Sequence, residues 1–423
     1  MKPVFALVDC NNFYASCEKL FRPDLKDRAV IVLSNNDGCV VARSREAKAL
    51  GIKMGVPVFK IQHEIRQHGI ITFSSNYALY ADLSARVMRT LQELAPRVEV
   101  YSIDEAFLDL TGFEPMMSLA RFGQHVRQVI GIWTGITVCV GIAPTKTLAK
   151  LANHAAKQYP ATGGVVDLTN PERQKRLLAL LPVGKVWGIG RKLSRRLQVL
   201  GINTALDLAN TRPGRIRKQI SVVAERTVRE LNGESCIDLE EVPPTKKQIV
   251  CSRSFGERIT TLQGMKEAVC EYATRAGEKL RSEKQYAGVI TVFIKTSLFN
   301  SQEPQYTNSA IGELSIPSDD TRDLIEQAML LLQRIWRDGY RYAKAGIMLS
   351  DFYEPGVYQT NLFDECRQRA DTKSLMSVLD KINRGGKGRV FFAGQGIRKD
   401  WSMKREHLSP AYTTRWPDIP KVK

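Results

Sequence analysis

The stretch that decides the fold reads Tyr101-Ser102-Ile103-Asp104-Glu105-Ala106-Phe107-Leu108-Asp109 and holds two adjacent acids between apolar residues. The apolar flanks predict two short β-strands, over 98–103 and 106–110, that meet at these acids. Neighbouring side chains of a regular strand point to opposite faces, so both acids can address one site only where the backbone curves. We therefore expect Asp104 and Glu105 at the tip of a hairpin.

A third acid ends another apolar segment. Residues 4–9 predict a buried strand that stops at Asp9, which can join the pair from an adjacent strand. Converging carboxylates repel one another, and divalent cations relieve that repulsion. Oxygen-only ligation suits Mg²⁺, and a pair of such ions clamps the attacking and leaving oxygens of a phosphoryl transfer. On pattern alone, solvated acids at strand ends remain the alternative.

Two groups of basic residues can accompany the acids. Lys146 and Lys150 lie one turn apart on a helix opened by Pro144-Thr145, and its polar face continues to Asn153 and Lys157. A second group follows Val40, where the sequence also predicts a helix: Arg43, Arg45 and Lys48. Cations near Asp9 would hold the phosphates of a nucleotide. Two ordinary solvated helix faces are the alternative interpretation.

Composition narrows the class of partner. The 423 residues contain 62 Lys and Arg against 44 Asp and Glu, a formal net charge of +18, and 43% are hydrophobic. These values exclude an acidic or disordered chain and favour a nucleic acid or an anionic membrane surface as partner. No apolar run approaches the roughly 20 residues of a spanning helix. Asp9 comes too early for a signal peptide, so we expect a cytoplasmic protein.

The stretch from Val186 to Ile202 is typical of a helix-hairpin-helix, a motif that grips nucleic-acid backbone. Its glycines allow a tight turn whose backbone N–H groups and following helix N-terminus can hold a phosphate. Leucines supply the packing face, and basic side chains add positive charge. The candidate DNA-binding residues are Trp187, Gly188, Ile189, Gly190, Arg191, Lys192 and Arg195. A purely structural hairpin is the alternative.

Residues 248–353 predict a further small domain. Strand and helix patterns alternate in the order β-α-β-β-α-β, which gives a sheet with helices on one face. Its predicted strands carry the basic residues Arg253, Lys295 and Lys344. The Pro243-Pro244 pair and its charged flanks predict a linker over 241–247.

Three motifs together resemble those of the Y-family translesion DNA polymerases. They are Val8-Asp9-Cys10-Asn11-Asn12-Phe13-Tyr14-Ala15-Ser16-Cys17-Glu18, the acid-containing stretch quoted first, and Thr145-Lys146-Thr147-Leu148-Ala149-Lys150-Leu151-Ala152. The resemblance covers essentially the whole chain. Ser34-Asn35-Asn36-Asp37-Gly38-Cys39-Val40 and the C-terminal region narrow it to the bacterial branch that acts in SOS mutagenesis, or to a mobile-element relative of that branch.

The resemblance implies an active site and its substrates. Asp9, Asp104 and Glu105 would be the catalytic ligands of two Mg²⁺ ions, with the Cys10 carbonyl near a metal, and dNTPs would be the substrates. Tyr14 would be the steric gate that excludes a ribose 2′-OH. The triphosphate-binding residues would be Phe13, Arg45, Lys48, Lys146 and Lys150. Many relatives carry Tyr-x-x-Arg where this chain has Arg45-Glu46-Ala47-Lys48, so a lysine would replace a bidentate arginine.

The resemblance also implies an α+β, right-hand architecture. The expected domains are a palm over 1–12 and 75–166, fingers over 13–74, a thumb over 167–240, a linker over 241–247, a little finger over 248–353 and a C-terminal tail over 354–423. The resemblance implies that the sheet of the little finger lies on DNA, and we expect Arg253, Lys295 and Lys344 to face it.

In the tail, a short motif resembles the peptide that docks bacterial proteins onto the β sliding clamp: Gln359, Asn361, Leu362 and Phe363. The remaining tail would contact a UmuD-type accessory dimer and a RecA filament, and primer-template DNA would be the main partner. The enzyme would associate with the nucleoid when active.

The function expected from the sequence is therefore error-prone, template-directed DNA synthesis across damaged bases in the SOS response. A non-catalytic DNA-binding scaffold is the main alternative and would not need the three acids. A nucleotide cyclase with a palm-like site is a weaker alternative, since such an enzyme has no use for residues 167–353.

Overall fold

The structure is a computed structural model that describes residues 2–113, 117–242, 244–300, 302–355, 357, 371–385 and 389–420. The chain forms two compact units. The first unit contains Met1–Ser34, Gly38–Pro243 and His407–Lys423, and the second contains Asn35–Asp37 and Pro244–Glu406. Both units mix helices with sheets, which confirms the predicted α+β class. No helix in these ranges is long and apolar enough to cross a membrane.

Eight strands of the first unit form two sheets. In chain order they are β1 Phe5–Cys10, β2 Val30–Leu33, β3 Val40–Arg43, β4 Ile71–Ser74, β5 Val98–Val100, β6 Glu105–Asp109, β7 Val138–Ala143 and β8 Val165–Asp167. The five-stranded sheet has the order β5-β6-β1-β7-β8, and the three-stranded sheet has the order β3-β2-β4. Strand β1 is therefore central, with antiparallel neighbours β6 and β7 on its two sides.

Eleven α-helices belong to the described part of the first unit. They are α1 Phe13–Leu20, α2 Arg45–Ala49, α3 Gln62–Gln67, α4 Tyr77–Leu94, α5 Leu119–Thr134, α6 Lys146–Gln158, α7 Pro171–Leu180, α8 Arg191–Val199, α9 Ala205–Ala209, α10 Pro213–Gln219 and α11 Val222–Leu231. Thr145 begins α6 as its N-cap, because its side chain accepts a hydrogen bond from the Leu148 N–H.

The central strand β1 contributes to two hydrophobic cores. Ala6 and Val8 pack in one core with residues of α4 and α5, whereas Phe5 and Leu7 pack in the other with residues of α6 to α11. This division follows from the alternation of side chains along a strand. The same alternation places Asp9 on the face of β1 that Phe5 and Leu7 share.

The second unit contains a four-stranded antiparallel sheet of order β11-β10-β12-β9. Its elements are β9 Gln248–Ile259, α12 Leu262–Ser282, β10 Tyr286–Thr296, β11 Thr307–Ser318, α13 Thr321–Ile335, β12 Tyr342–Tyr353 and α14 Thr372–Arg384. The β-α-β-β-α-β order is the one that the sequence predicts. The inward residues of the strands form one core with α12 and α13.

The described part of the C-terminal region packs onto folded elements. In the second unit, Arg281 holds the Asp380 carboxylate through two hydrogen bonds of 2.8 Å, and the buried Trp401 packs beside Phe255. In the first unit, Tyr412 stacks on Phe21 with ring centroids 4.6 Å apart. The tail predicted over 354–423 is thus divided between the two units. The other predicted domain bounds stay predictions.

One predicted helix is wrong in its extent. Residues 40–43 form strand β3, and the helix α2 begins only at Arg45, with Ser44 as its N-cap. The run of Val40, Val41 and Ala42 suits a strand, and the Ser44 side chain accepts a hydrogen bond from the Ala47 N–H that starts the helix. Arg43 and Arg45 consequently belong to different elements.

Candidate active site

Asp9 and Glu105 lie directly opposite each other. Asp9 ends the central strand β1, Glu105 begins β6, and the two residues are partners in the antiparallel register. Glu105 alternates with Phe107, which packs in the same core as Leu7 and α6. Both carboxylates therefore belong to the α6 side of the sheet.

Asp104 comes to the same place from the bend that precedes β6. Its carbonyl oxygen accepts a hydrogen bond of 2.9 Å from the Cys10 N–H, which extends the pairing of β1 with this chain segment. Its carboxylate accepts a hydrogen bond of 2.8 Å from the Ser102 hydroxyl. The first predicted strand ends at Val100, earlier than expected, and the curve over 101–104 is what allows neighbouring acids to address one region.

Two lysines of α6 engage two of the acids. Lys150 donates to both oxygens of Glu105, at 3.0 and 3.2 Å, and Lys157 forms an ion pair with Asp9. Sequence reasoning placed Lys157 on the polar helix face but did not assign it to the site. Its position seven residues, or two turns, after Lys150 is the signal that could have found it.

The electrostatics of Asp9 follow from its position. Burial raises the pKa of Asp9 to about 7. The Lys157 ammonium opposes this shift, and the nearby charges of Glu105 and Asp104 add to it. Burial is thus the main reason that Asp9 resists ionisation, and the two neighbouring acids add to the effect.

The donor chemistry fits a hard divalent cation. Asp9, Asp104 and Glu105 offer only oxygen atoms as ligands. A bound divalent cation would relieve the repulsion between their carboxylates. As the side chains stand, the described residues contain no group of three or more His, Cys, Asp or Glu that could already hold a metal ion. In this arrangement Lys157 engages Asp9 and Lys150 engages Glu105.

A cavity of about 790 Å³ opens beside the acids. Its volume lies in the range of sites that bind small molecules, roughly 300–1,000 Å³. Its lining includes Asp9, Cys10, Asn12, Phe13, Tyr14, Arg43, Arg45, Lys48, Asp104 and Lys157. Four of these residues are cations, so the cavity suits an anionic ligand next to the acids. Glu105, Lys146 and Lys150 do not line it.

The cations at the cavity differ in their contacts. Lys48 donates a hydrogen bond to the Asn12 side chain, and Arg43 donates to the Ile52 carbonyl oxygen at 2.6 Å. Arg45 is exposed and makes no ion pair with any described residue. Burial, aided by the charges of Arg43 and Lys157, lowers the pKa of Lys48. This crowding of positive charge is relieved when an anion binds.

Lys146 lies elsewhere. Its side chain is only 1% exposed, pairs with Glu99 and donates a 2.5 Å hydrogen bond to the Asp238 carbonyl oxygen. The polar face predicted on α6 is therefore partly buried. Asn153 is also buried, where it donates to the carbonyl oxygens of Leu7 and Cys139 at 3.1 and 2.8 Å.

The two aromatic residues at the start of α1 have different surroundings. Phe13 is buried in the core, whereas Tyr14 is half-buried at the cavity. The Tyr14 ring stacks on Tyr80, with centroids 4.3 Å apart and planes within 15°. Tyr77 meets the Tyr14 ring edge-on at 6.3 Å. This packing fixes the position of Tyr14.

The predicted helix-hairpin-helix residues fall into two groups. Gly188 turns the chain at φ +84°, Gly190 is the N-cap of α8, and the cations that follow are exposed: Arg191, Lys192 and Arg195. In contrast, Ile189 is buried in the core. Trp187 packs edge-on against Tyr101 at 5.6 Å, and Lys150 lies 5.2 Å from its ring centroid. The side chains of Ile189 and Trp187 are thus part of the protein's own packing.

The predicted clamp-binding residues Gln359, Asn361, Leu362 and Phe363 lie outside the described residues.

Comparisons with known proteins agree along the whole chain. It is 58% identical to protein SamB of Salmonella typhimurium, over 99% of this chain and 100% of that protein. Protein UmuC of Salmonella typhimurium, strain LT2, shows the same identity and coverage. DNA polymerase IV of Desulfatibacillum aliphaticivorans is 28% identical over 90% of this chain and 94% of its own.

A solved structure is similar in fold. A chimera of the Y-family DNA polymerases Dbh and Dpo4 superposes with a TM-score of 0.67 and 24% sequence identity, covering 83% of this chain and 99% of the chimera. This likeness shows the right-hand polymerase fold.

Protein families match most of the sequence. The impB/mucB/samB family matches residues 8–154, its C-terminal domain matches 246–362, and the helix-hairpin-helix motif of the same family matches 171–202. A domain of unknown function matches 373–422. The chain therefore belongs to the impB/mucB/samB family of UmuC-like, Y-family DNA polymerases, which carry out error-prone translesion synthesis.

Proposed function

We propose that this chain performs translesion synthesis by two-metal nucleotidyl transfer at Asp9, Asp104 and Glu105. The observation that carries the proposal is the register of Asp9 with Glu105 at the edge of a cationic cavity. In the reaction, the primer 3′-OH oxygen bonds to the α-phosphorus of the incoming dNTP. The bond from that phosphorus to the bridging oxygen breaks, pyrophosphate leaves with the electron pair, and the hydroxyl proton passes to solvent.

The three carboxylates would hold two Mg²⁺ ions, with the Cys10 carbonyl nearby. When bound, such ions stabilise the charge that develops on the attacking and leaving oxygens. The chain's own task is then to keep three acids together, and the β1–β6 register and the bend at 101–104 support this. Lys157 would release Asp9 on metal binding and turn to the triphosphate, as its place in the cavity lining allows.

The cations of the cavity would bind the triphosphate. Arg45 has a guanidinium that no described residue engages, and it can grip a phosphate with two parallel hydrogen bonds. Lys48 acts as a point charge beside it. Lys150 would act through Glu105, whose two oxygens it contacts, and not on the phosphates. Buried Lys146 would stabilise the fold.

Tyr14 would select deoxyribonucleotides. Its ring is held by Tyr80 and Tyr77 at the wall of the cavity, so it can exclude a 2′-OH by steric contact. Buried Phe13 would support the helix that presents Tyr14. Arg191, Lys192 and Arg195 would bind the phosphate backbone of the primer-template without reading bases.

Further partners belong to the proposal as well. Full-length similarity to UmuC supports a UmuD-type dimer as accessory subunit. A RecA filament and the β sliding clamp are proposed from the family resemblance, with Gln359, Asn361, Leu362 and Phe363 as the clamp contact.

Primer extension across an abasic site tests the function. The full chain should extend the primer past the lesion when Mg²⁺, the UmuD-type dimer and a RecA filament are present. The extension rate should rise with Mg²⁺ concentration more steeply than first order, since two ions take part. Absence of extension on both damaged and undamaged templates under these conditions would reject the proposal in favour of a non-catalytic scaffold.

A further inference from the structure

The second unit contains a cationic cavity of about 510 Å³ that the polymerase reaction does not use. It lies between strand β9, helix α12 and residues 399–405, and all of its lining residues belong to the second unit. We call it the β9–α12 cavity. Its cationic lining residues are Arg253, Arg275, Lys279, Arg389, Lys399 and Arg405.

The charge in this cavity is unbalanced. Glu271 is the acid among the lining residues, and Lys399 pairs with it at 2.6 Å. The other five cations make no ion pair with any residue in the described ranges. Cations that serve only solubility spread over a surface, whereas these converge on one concave space. The arrangement therefore favours a multiply charged anion as ligand.

Two buried donors also lack partners in the cavity wall. Tyr272 is 4% exposed and Trp401 is 8% exposed, and both line the cavity. Neither the Tyr272 hydroxyl nor the Trp401 indole N–H has a hydrogen-bond partner among the residues that the structure describes, and both atoms are closed off from solvent. An unpaired buried polar group costs about 1–3 kcal/mol, so the wall beneath the cations is incompletely hydrogen-bonded.

Arg253 shows that the strand itself contributes to the cavity. It alternates along β9 with Cys251 and Phe255, which are buried against α12. Its register partner on β12 is Ala345, which also belongs to that core. Arg253 is thus on the helix side of the sheet. The expectation that it faces DNA together with Lys295 and Lys344 does not agree with this alternation.

We infer that the β9–α12 cavity binds a compact polyphosphate anion, a ligand with two or three linked phosphate groups. The guanidiniums of Arg253, Arg275, Arg389 and Arg405 present paired N–H donors that match phosphate oxygens. The volume suits a small molecule. A nucleic-acid backbone carries the same phosphate chemistry, so the experiment must separate these two sources.

Binding of inorganic triphosphate to the full chain is the direct test. Calorimetry in EDTA and at constant ionic strength should show saturable binding, and Arg275→Ala should weaken it at least tenfold. Arg334→Ala is the matched control, since it removes an exposed arginine from α13 outside the cavity. Lys48→Ala lowers triphosphate binding at the candidate active site, so Arg275→Ala and Arg334→Ala are also compared in the Lys48→Ala background.

Tyr272→Phe gives a second measurement that is independent of net charge. It removes only the unpartnered hydroxyl, so the ligand-free protein should unfold at the same temperature or slightly higher. Triphosphate affinity should stay close to that of the unchanged chain, because this hydroxyl is closed off from the cavity and the cations bind the ligand.

Equal triphosphate affinity in Arg275→Ala and Arg334→Ala, or no binding at millimolar triphosphate, would overturn the inference. A short single-stranded oligonucleotide separates the sources. If Arg275→Ala weakens oligonucleotide binding but not triphosphate binding, the cavity serves a nucleic-acid backbone and the inference is rejected.

Discussion

Asp9 stands directly opposite Glu105 in the antiparallel register of β1 and β6, and each carboxylate contacts a different lysine of α6. Lys150 and Lys157 are two helical turns apart, about 10 Å along the axis, so one helix covers both acids. Two ion pairs therefore join the acids to this helix. It also follows that metal binding must compete with a lysine at Asp9.

Lys157 should govern this competition. In Lys157→Met, buried Asp9 loses its cation, so the protein should be less stable in EDTA than the unchanged chain. Added Mg²⁺ should then raise its unfolding temperature more than it does for the unchanged chain. Thermal unfolding with and without Mg²⁺ measures this difference. Lys175→Met, which removes a lysine from an exposed ion pair with Glu172, is the control. Equal Mg²⁺ responses of the two variants would contradict the competition.

Lys146 should matter for folding. Lys146→Met leaves Glu99 as an unpaired buried carboxylate, and breaking such a pair costs about 3–5 kcal/mol. We expect a lower urea midpoint, partly restored by the second change Glu99→Gln. Lys150→Met, at a half-buried pair, should lower activity with a smaller loss of stability. An unchanged urea midpoint for Lys146→Met, with a raised KM for dNTP, would contradict this and indicate that Lys146 binds the triphosphate.

Tyr14 should set sugar selectivity. Tyr14→Ala removes the ring at the cavity wall and should raise ribonucleotide incorporation relative to deoxyribonucleotide at least tenfold. Phe13→Leu is the control, because it alters the buried neighbour and should lower stability while leaving the ratio unchanged. Single-nucleotide insertion kinetics give both ratios. If the ratio is the same in Tyr14→Ala and the unchanged chain, Tyr14 is not the gate.

Glu18 provides a pH-dependent prediction. It is fully buried, and its carboxylate accepts hydrogen bonds from the Tyr80 hydroxyl at 2.6 Å and the Ser409 hydroxyl at 3.2 Å. Burial raises the pKa of Glu18 from 4.5 to about 6, against the effect of these two hydrogen bonds. The folded protein thus holds this proton more tightly than the unfolded chain does. The resulting stabilisation is complete below pH 4.5 and is lost as the pH rises through 6.

Glu18→Gln removes this pH dependence. Between pH 4.5 and 7, the unchanged chain should lose about 2 kcal/mol of unfolding free energy that Glu18→Gln does not lose. This is the amount that the pKa shift of Glu18 implies. Glu46→Gln should behave oppositely. Burial alone would raise the pKa of Glu46. Hydrogen bonds from Lys19 and Ser44 outweigh burial and hold this pKa below its usual value. Urea unfolding at several pH values measures both, and parallel curves for the two variants would contradict the assignment.

The grouping of the three acids could be predicted from the sequence because it depends on local sequence patterns. An apolar strand that ends in Asp9 and a break in pattern at Asp104-Glu105 are visible in the residues themselves. The sheet of the second unit was predictable for the same reason, since its helices and strands have regular apolar spacing. Regular spacing indicates which face of a helix or strand is buried. Two elements with such apolar faces are expected to pack against each other.

The roles of the lysines could not be predicted in this way. Helical spacing treats Lys146 and Lys157 alike, as members of one polar face. Their partners come from distant segments: Glu99 is 47 residues from Lys146, and the Asp238 carbonyl is 92 residues away. Only the tertiary fold decides that one lysine is buried while the other reaches Asp9. Arg253 could have been placed correctly, because its alternation with Cys251 and Phe255 is visible in the sequence.

The central claim is that carboxylates grouped by the β1–β6 register catalyse DNA synthesis. Primer extension by Asp104→Asn tests it most directly, with Asp109→Asn as control, since Asp109 lies at the far end of β6 and pairs with Arg97. We predict that Asp104→Asn loses at least a thousandfold in extension rate while it keeps its affinity for primer-template DNA, and that Asp109→Asn stays close to the unchanged chain. Substantial extension by a clean preparation of Asp104→Asn would contradict the account.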